Sequence, residues 1–208
     1  DHEMTAYIYH RQNSLKNILK LKKKNIDGVE IDLRSSKKKI IISHDPFKKE
    51  LDFLKNVYRF KKIFLIIDIK STGIAKKVGL VLKKRKIKFL FLNLISSEVV
   101  ELLNTSLVKN ILVRFSSFEE HNLKNKYFKK MKWIWFDFFD NKFLTLSNYK
   151  YFRKHKKKIC LTSPDLLGKN NKILLKLIKH LNKNKIKIDM VCAKPKAVKI
   201  WKKFYIYQ

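Results

Sequence analysis

The hydrophobic pattern of the chain switches repeatedly between strand rhythm and a helical period of about 3.6 residues. Val29, Ile31 and Leu33 alternate with Glu30, Asp32 and Arg34, which gives a strand one aliphatic and one charged face. Ile40-Ile41-Ile42 runs into Ser43-His44-Asp45, and Pro46 stops it. This second run is an extension or hairpin partner of the first. Apolar runs predict further strands at 5–9, 63–70, 87–94, 111–115, 133–137, 159–162 and 186–192. Helical spacing is expected over 15–24 with Ser14 as N-cap, over 49–58, and over 71–85 opened by Ser71 or Thr72. Further helices are expected from Ser96 or Ser97 to 103, from Ser117 onward, over 146–155, and from Asp165 or Asn170 to 181. Pro195, at the first helical position, opens the last one.

Strand followed by helix, eight times over, means a parallel sheet covered by helices. Eight units in 208 residues predict a (β/α)8 TIM barrel, one α/β domain spanning 1–208. A doubly wound open sheet gives the same alternation, but the glycine-rich phosphate loop that would favour it is missing from a chain with four glycines.

Composition narrows the setting. Lysines interrupt every hydrophobic stretch, so no transmembrane segment is expected. The opening Asp1-His2-Glu3-Met4 has neither the basic nor the apolar region of a secretory signal. Cys160 and Cys192 sit in apolar strand-like runs and read as buried free thiols of a reducing, cytoplasmic compartment. The formal charge is +33, almost all from lysine spread along the chain. Abundant Lys, Ile, Asn and Phe with few Gly and Pro fits AT-rich coding. The resulting field favours phosphate-bearing small substrates and non-specific contact with polyanions or anionic membrane surfaces. No pattern for a sequence-specific nucleic-acid partner is present. The runs 22–24, 37–39 and 156–158 are expected to be solvated, as are His121, His155 and His180.

Candidate chemistry collects at the C-terminal ends of the predicted strands, the edge where barrels place their active sites. His10-Arg11 follows the first strand; Glu30 and Asp32 lie on the second, and His44 follows its partner. Asp68 and Lys70, Asn93, Arg114 and Asp137 follow on later strands. Carboxylates at i and i+2 on a buried strand need neutralising, either by an arginine such as Arg11 or Arg34 or by a hard divalent cation, Mg²⁺ or Ca²⁺. Trp133, Trp135 and Phe136 read as core, with one face free to line a pocket.

His10-Arg11, Asn13-Ser14, Gly28-x-Glu30-x-Asp32-x-Arg34 and His44-Asp45-Pro46 together resemble the signature of the glycerophosphodiester phosphodiesterase family, one of the phosphatidylinositol-phospholipase-C-like barrels. Asp68-Ile69-Lys70-Ser71-x-Gly73, Arg114-Phe115-Ser116-x-x-Glu119, residues 160–166 and Cys192-x-Lys194 resemble a bacterial branch of uncertain substrate. The resemblance implies His10 and His44 as the acid/base pair and Glu30, Asp32 and Asp68 as ligands of a divalent cation. It implies Arg11 and Lys70, with Arg114, as phosphate-binding residues. Asp68 stands where the family usually has glutamate, Gln12 stands where it has glycine, and a capping insertion seen in many relatives is missing. The implied activity is hydrolysis of a glycerophosphodiester-like or lipid-headgroup substrate. Two further readings remain: a non-catalytic barrel that binds polyanions, and a metal-free scaffold.

Overall fold

A computed structural model of the chain describes residues 4–23, 26–46, 51–119, 127–140 and 142–207. Its regular elements run β1 (Ala6–Tyr9), α1 (Leu15–Lys22), β2 (Gly28–Ser36), β3 (Lys39–Ile42), β4 (Leu51–Asp52), α2 (Phe53–Asn56) and β5 (Phe64–Ile69). They continue with α3 (Ala75–Lys84), β6 (Phe89–Leu92), α4 (Ser96–Leu102), β7 (Leu112–Phe115), β8 (Trp133–Phe136) and α5 (Leu146–Lys154). The last are β9 (Lys158–Thr162), α6 (Asn171–Lys183), β10 (Met190–Ala193) and α7 (Pro195–Phe204). The fold is mixed α/β with mostly parallel strand pairs. The chain divides into two compact units, 11–112 and the remainder.

In the unit holding both termini, β1 pairs parallel with β10, β10 with β9, and β9 with β8. α5, α6 and α7 cover these strands. Asn170 caps α6 by accepting the Ile173 N–H at 3.2 Å, and Leu174, Leu177, Ile178 and Leu181 form one fully buried stripe. Burying each such side chain stabilises by roughly 1.5–3 kcal/mol, so an aspartate at 177 would break the packing of this helix. Trp201 of α7 is buried, and its indole N–H donates to Ser163 Oγ at 2.9 Å. Tyr205 is buried with its hydroxyl donating to the Ile186 carbonyl and accepting the Ile188 N–H. Cys160 and Cys192 are both buried and outside any disulfide, and burial pushes the Cys160 thiol well up.

In the unit 11–112, β2 is central. It pairs antiparallel with β3, which pairs with β4, and parallel with β5, which pairs with β6. The apolar face of β2 (Val29, Ile31, Leu33) is wholly buried with Leu65 and Ile67 of β5. The β2–β5 register sets Asp32 directly opposite Asp68. Gly79 of α3 marks a close approach: a Cβ there would stand 2.8 Å from a Leu107 side-chain methyl, which would have to shift.

Several elements depart from the sequence pattern. The helix expected from Ser71 or Thr72 starts at Ala75, because Gly73 takes a left-handed turn at φ +82° and donates its N–H to Glu98 Oε1. The helix expected over 49–58 is a strand pair at 51–52 and a helical turn capped by Asp52, then a 3-10 turn over Val57–Phe60. Residues 49 and 50 lie outside the described residues, as do most of the helix expected from Ser117 and His121 within it. The strand expected over 186–192 is confined to Met190–Ala193.

Two expected surface groups are not solvated. Lys157, inside its lysine run, is buried. Its ammonium donates to the carbonyls of Phe128 and Met131 and lies 4.2 Å from the Phe128 ring centroid, and burial lowers its pKa. His180 is half-buried, with Nε2 2.8 Å from the Leu144 carbonyl.

Candidate active site

Glu30 and Asp32 project from the charged face of β2, and Asp68 projects beside them from β5. Relative exposures of 2%, 1% and 7% make all three buried carboxylates. One oxygen from each lies within 4.8 Å of the others. Crowding and dehydration both oppose ionisation. Burial first, then the charge of Asp32, pushes the Glu30 carboxyl up to about 8. Burial also raises Asp68, with Lys70 and Asn93 pulling the other way.

Each carboxylate has its own support. Arg11 takes a left-handed backbone, φ 51°, which aims its N–H at Glu30 Oε2 at 2.6 Å. That conformation disfavours side chains other than glycine by about 1–2 kcal/mol, so strain is concentrated where the loop meets the carboxylate. Gln12 then donates its N–H to the Glu30 carbonyl at 2.8 Å. Gln12 is not among the positive-φ residues, so the family's glycine is not required for its backbone here. Asn13 engages Asp32 twice: Nδ2 donates to Oδ2 at 2.6 Å, and Oδ1 accepts the Asp32 N–H at 3.0 Å. Asp68 Oδ1 accepts from Asn93 Nδ2 at 2.8 Å, and Oδ2 accepts from Lys70 Nζ at 2.6 Å.

Lys70 is the main cation of the cluster, since its Nζ also lies 3.3 Å from Asp32 Oδ1. Burial acts against its charge, but the hydrogen bond and charge of Asp68, with Asp32 added, hold its pKa above the ordinary lysine value. The Arg11 Nε is 3.9 Å from Asp32 Oδ2, with half of its side chain exposed. Arg34 is not the partner of these acids; its Nε donates to the His44 carbonyl at 3.0 Å.

That bond helps fix the turn after β3. Ser43 donates its N–H to the Asp32 carbonyl at 3.1 Å and its hydroxyl to the Asp45 carbonyl at 2.7 Å. His44 Nδ1 lies 2.6 Å from Asp45 Oδ1, which leaves Nε2 as the outward nitrogen. His10 closes β1 in the other unit, its N–H donating to the Ala193 carbonyl at 3.0 Å, and the chain passes from it directly into Arg11. Arg114 also lies in that unit, where its Nη1 donates to Asp137 at 2.9 Å and its Nε is 3.5 Å from Glu119. Trp135 is buried and donates its indole N–H to the same Asp137 oxygen at 2.8 Å.

Sequence reasoning missed the roles of Asn13, Asn93 and Asp45. Each sits at a strand end or in a short loop beside a carboxylate or histidine, and that position was the available signal.

The donor set fits a hard divalent cation. Three oxygen ligands on two paired strands supply the charge and the compactness such an ion requires, with no thiolate or imidazole among them.

Comparison with known proteins adds the fold's affinity. No protein-family model matches the chain, and no curated protein is detectably similar in sequence. Solved structures do match. A glycerophosphoryl diester phosphodiesterase from Parabacteroides distasonis aligns over 100% of this chain and 90% of its own, with TM-score 0.68 and 10% identity. The glycerophosphodiester phosphodiesterase of Thermotoga maritima aligns over 96% and 99%, with TM-score 0.61 and 19% identity. A Galdieria sulphuraria protein described as a glycerophosphodiester phosphodiesterase by inference aligns over 95% and 97%, with TM-score 0.64 and 11% identity. The chain is therefore of the mixed α/β class with a carboxylate-lined centre. Its fold is that of the glycerophosphodiester phosphodiesterases.

Proposed function

We propose that the protein is a metal-dependent phosphodiester hydrolase, built on the (β/α)8 barrel expected from its sequence. Its substrate class is a glycerophosphodiester-like or lipid-headgroup diester. The observation that carries this reading is the buried convergence of Glu30, Asp32 and Asp68 around Lys70. The likeness of fold to phosphodiesterases along nearly the whole chain supports it.

Glu30, Asp32 and Asp68 would hold the cation, Mg²⁺ or Ca²⁺. The chemistry a bound cation supplies is charge stabilisation at the phosphoryl oxygens. Lys70 and Arg11 bind the phosphate and stabilise charge that develops on it. Arg114 is proposed for the same role, its guanidinium positioned by Asp137 and Glu119. His10 and His44 divide the proton transfers. One takes a proton from the attacking hydroxyl, that of water or of the substrate itself, and the other protonates the departing alkoxide. Asp45 holds Nδ1 of His44 and so presents Nε2 for that work. Cys160 and Cys192, buried and not joined in a disulfide, support a reducing, cytoplasmic setting.

The test is hydrolysis of glycerophosphocholine and related diesters with Mg²⁺ or Ca²⁺. Wild type should exceed His10→Ala and His44→Ala by roughly 10²–10⁴-fold. Equal background rates in all three would overturn the reading.

A further inference from the structure

α6 and α7 pack against each other in one unit and leave a groove of about 390 Å³ between them. Leu175, Ile178, Lys179, Asn182, Lys183 and Phe204 line it. Asn182 fixes the segment that follows α7: its Nδ2 donates to the Phe204 carbonyl at 2.9 Å, and its Oδ1 accepts the Ile206 N–H at 3.3 Å. Three large apolar side chains stand in the open here, Leu175 at 41% exposure, Phe204 at 44% and Ile206 at 68%. Lys203 lies with its ammonium 5.2 Å from the Phe204 ring centroid.

The segment that carries this patch is almost uniformly basic, and Lys179 and Lys183 line the groove itself. From residue 166 to 208 the sequence has twelve lysines, no arginine and a single acid, Asp189. Asp189 is already paired with Arg153 at 2.7 Å. α6 and α7 themselves have no acid.

We infer that this face is a docking surface for anionic lipid bilayers. Exposed aliphatic and aromatic side chains ringed by lysines suit the boundary between acyl chains and headgroups, where the apolar groups insert and the ammonium groups meet lipid phosphates. Two other occupants suit it less. A nucleic acid would use arginines and stacking rings, whereas two of the three exposed groups, Leu175 and Ile206, have no ring to stack. A second copy of the chain would bring the same lysines against themselves. Among the described residues no helix is long and apolar enough to cross a membrane. The inference does not depend on the proposed hydrolase activity.

Vesicle co-sedimentation of the whole chain tests it, using phosphatidylcholine vesicles with and without phosphatidylglycerol. The anionic vesicles should retain the protein and the neutral ones should not. Leu175→Ser/Phe204→Ser/Ile206→Ser should weaken retention at least about ten-fold, a loss of the size expected when several apolar groups stop inserting. Lys179→Gln and Lys183→Gln should each weaken it about five-fold, the factor per interfacial lysine. Leu80→Ser/Val100→Ser, at exposed positions on α3 and α4, should change nothing. Circular dichroism melts identify any variant that has lost its fold; for such a variant, Phe204→Ser alone is used. Three results would overturn the inference. One is no retention by anionic vesicles. Another is retention untouched by the apolar substitutions, the mark of diffuse charge. The third is a patch-dependent affinity for single-stranded oligonucleotide, or a patch-dependent dimer, with none for vesicles.

Discussion

Asn13 closes both ends of its amide on Asp32, with Nδ2 to the carboxylate at 2.6 Å and Oδ1 from the backbone N–H at 3.0 Å. The amide fixes the position of the carboxylate and of the strand beneath it. Outer partners of this kind typically change cation affinity 10–100-fold when removed, a range of about that order. Asn13→Ala should therefore weaken binding of Mg²⁺ or Ca²⁺ by about 10–100-fold in isothermal titration. Unchanged affinity would show that Asp32 does not depend on the clamp.

Glu30 makes the cation-free protein sensitive to pH. Its carboxyl is pushed up to about 8 from an ordinary 4.5, chiefly by burial. A carboxyl held more tightly in the folded state contributes stability that is complete below 4.5 and lost as the pH rises through 8. With chelator present, urea midpoints of the wild type should fall across that window more steeply than those of Glu30→Gln. Adding a divalent cation should reverse the fall, since binding displaces the proton. Parallel curves for the two proteins would refute this.

His44 and Asp45 predict a graded series. Removing the imidazole should lower kcat by roughly 10²–10⁴-fold, the span of lost acid–base catalysis. Asp45→Ala leaves the imidazole but frees Nδ1, which Asp45 Oδ1 faces at 2.6 Å. Its loss in kcat should be smaller, with a displaced pH profile and little change in KM. An Asp45→Ala enzyme with wild-type kcat and pH profile would remove Asp45 from the mechanism.

These positions also show how far sequence carries. The alternation of Val29, Ile31 and Leu33 with Glu30 and Asp32 reports a strand directly, because one residue's slip would bury the wrong face. The stripe of α6 is legible for the same reason. Local capping signals were less secure. Ser71 and Thr72 are good cap residues, yet the left-handed turn at Gly73 delays the helix to Ala75. The carboxylates at 30, 32 and 68 could be picked out, and so could Arg11, whose Nε lies 3.9 Å from Asp32; the central role of Lys70 could not. That Lys70 rather than Arg34 neutralises them depends on the β2–β5 register, which spans thirty-six residues of sequence between Asp32 and Asp68. Asn13 was visible only as part of the motif that follows His10-Arg11; its two bonds to Asp32 exist only once the loop lies along β2.

Lys157 is the clearest case of tertiary context overriding composition, and it yields a stability prediction. Two flanking lysines, Lys156 and Lys158, make it look like one charge among many. Folding instead buries it against the Phe128 ring, donating to the Phe128 and Met131 carbonyls. The Phe128 carbonyl also accepts the Met131 N–H at 3.2 Å, so it keeps a partner if the ammonium is removed. Lys157 is the donor that matters for Met131. Lys157→Met preserves length and apolar contact while leaving that carbonyl short of a donor, which should cost about 1–3 kcal/mol. Lys156→Met, on the exposed neighbour, should cost nothing measurable. Urea unfolding of the two variants decides the matter: equal stabilities would mean that the buried ammonium adds no more to the fold than its solvated neighbour does.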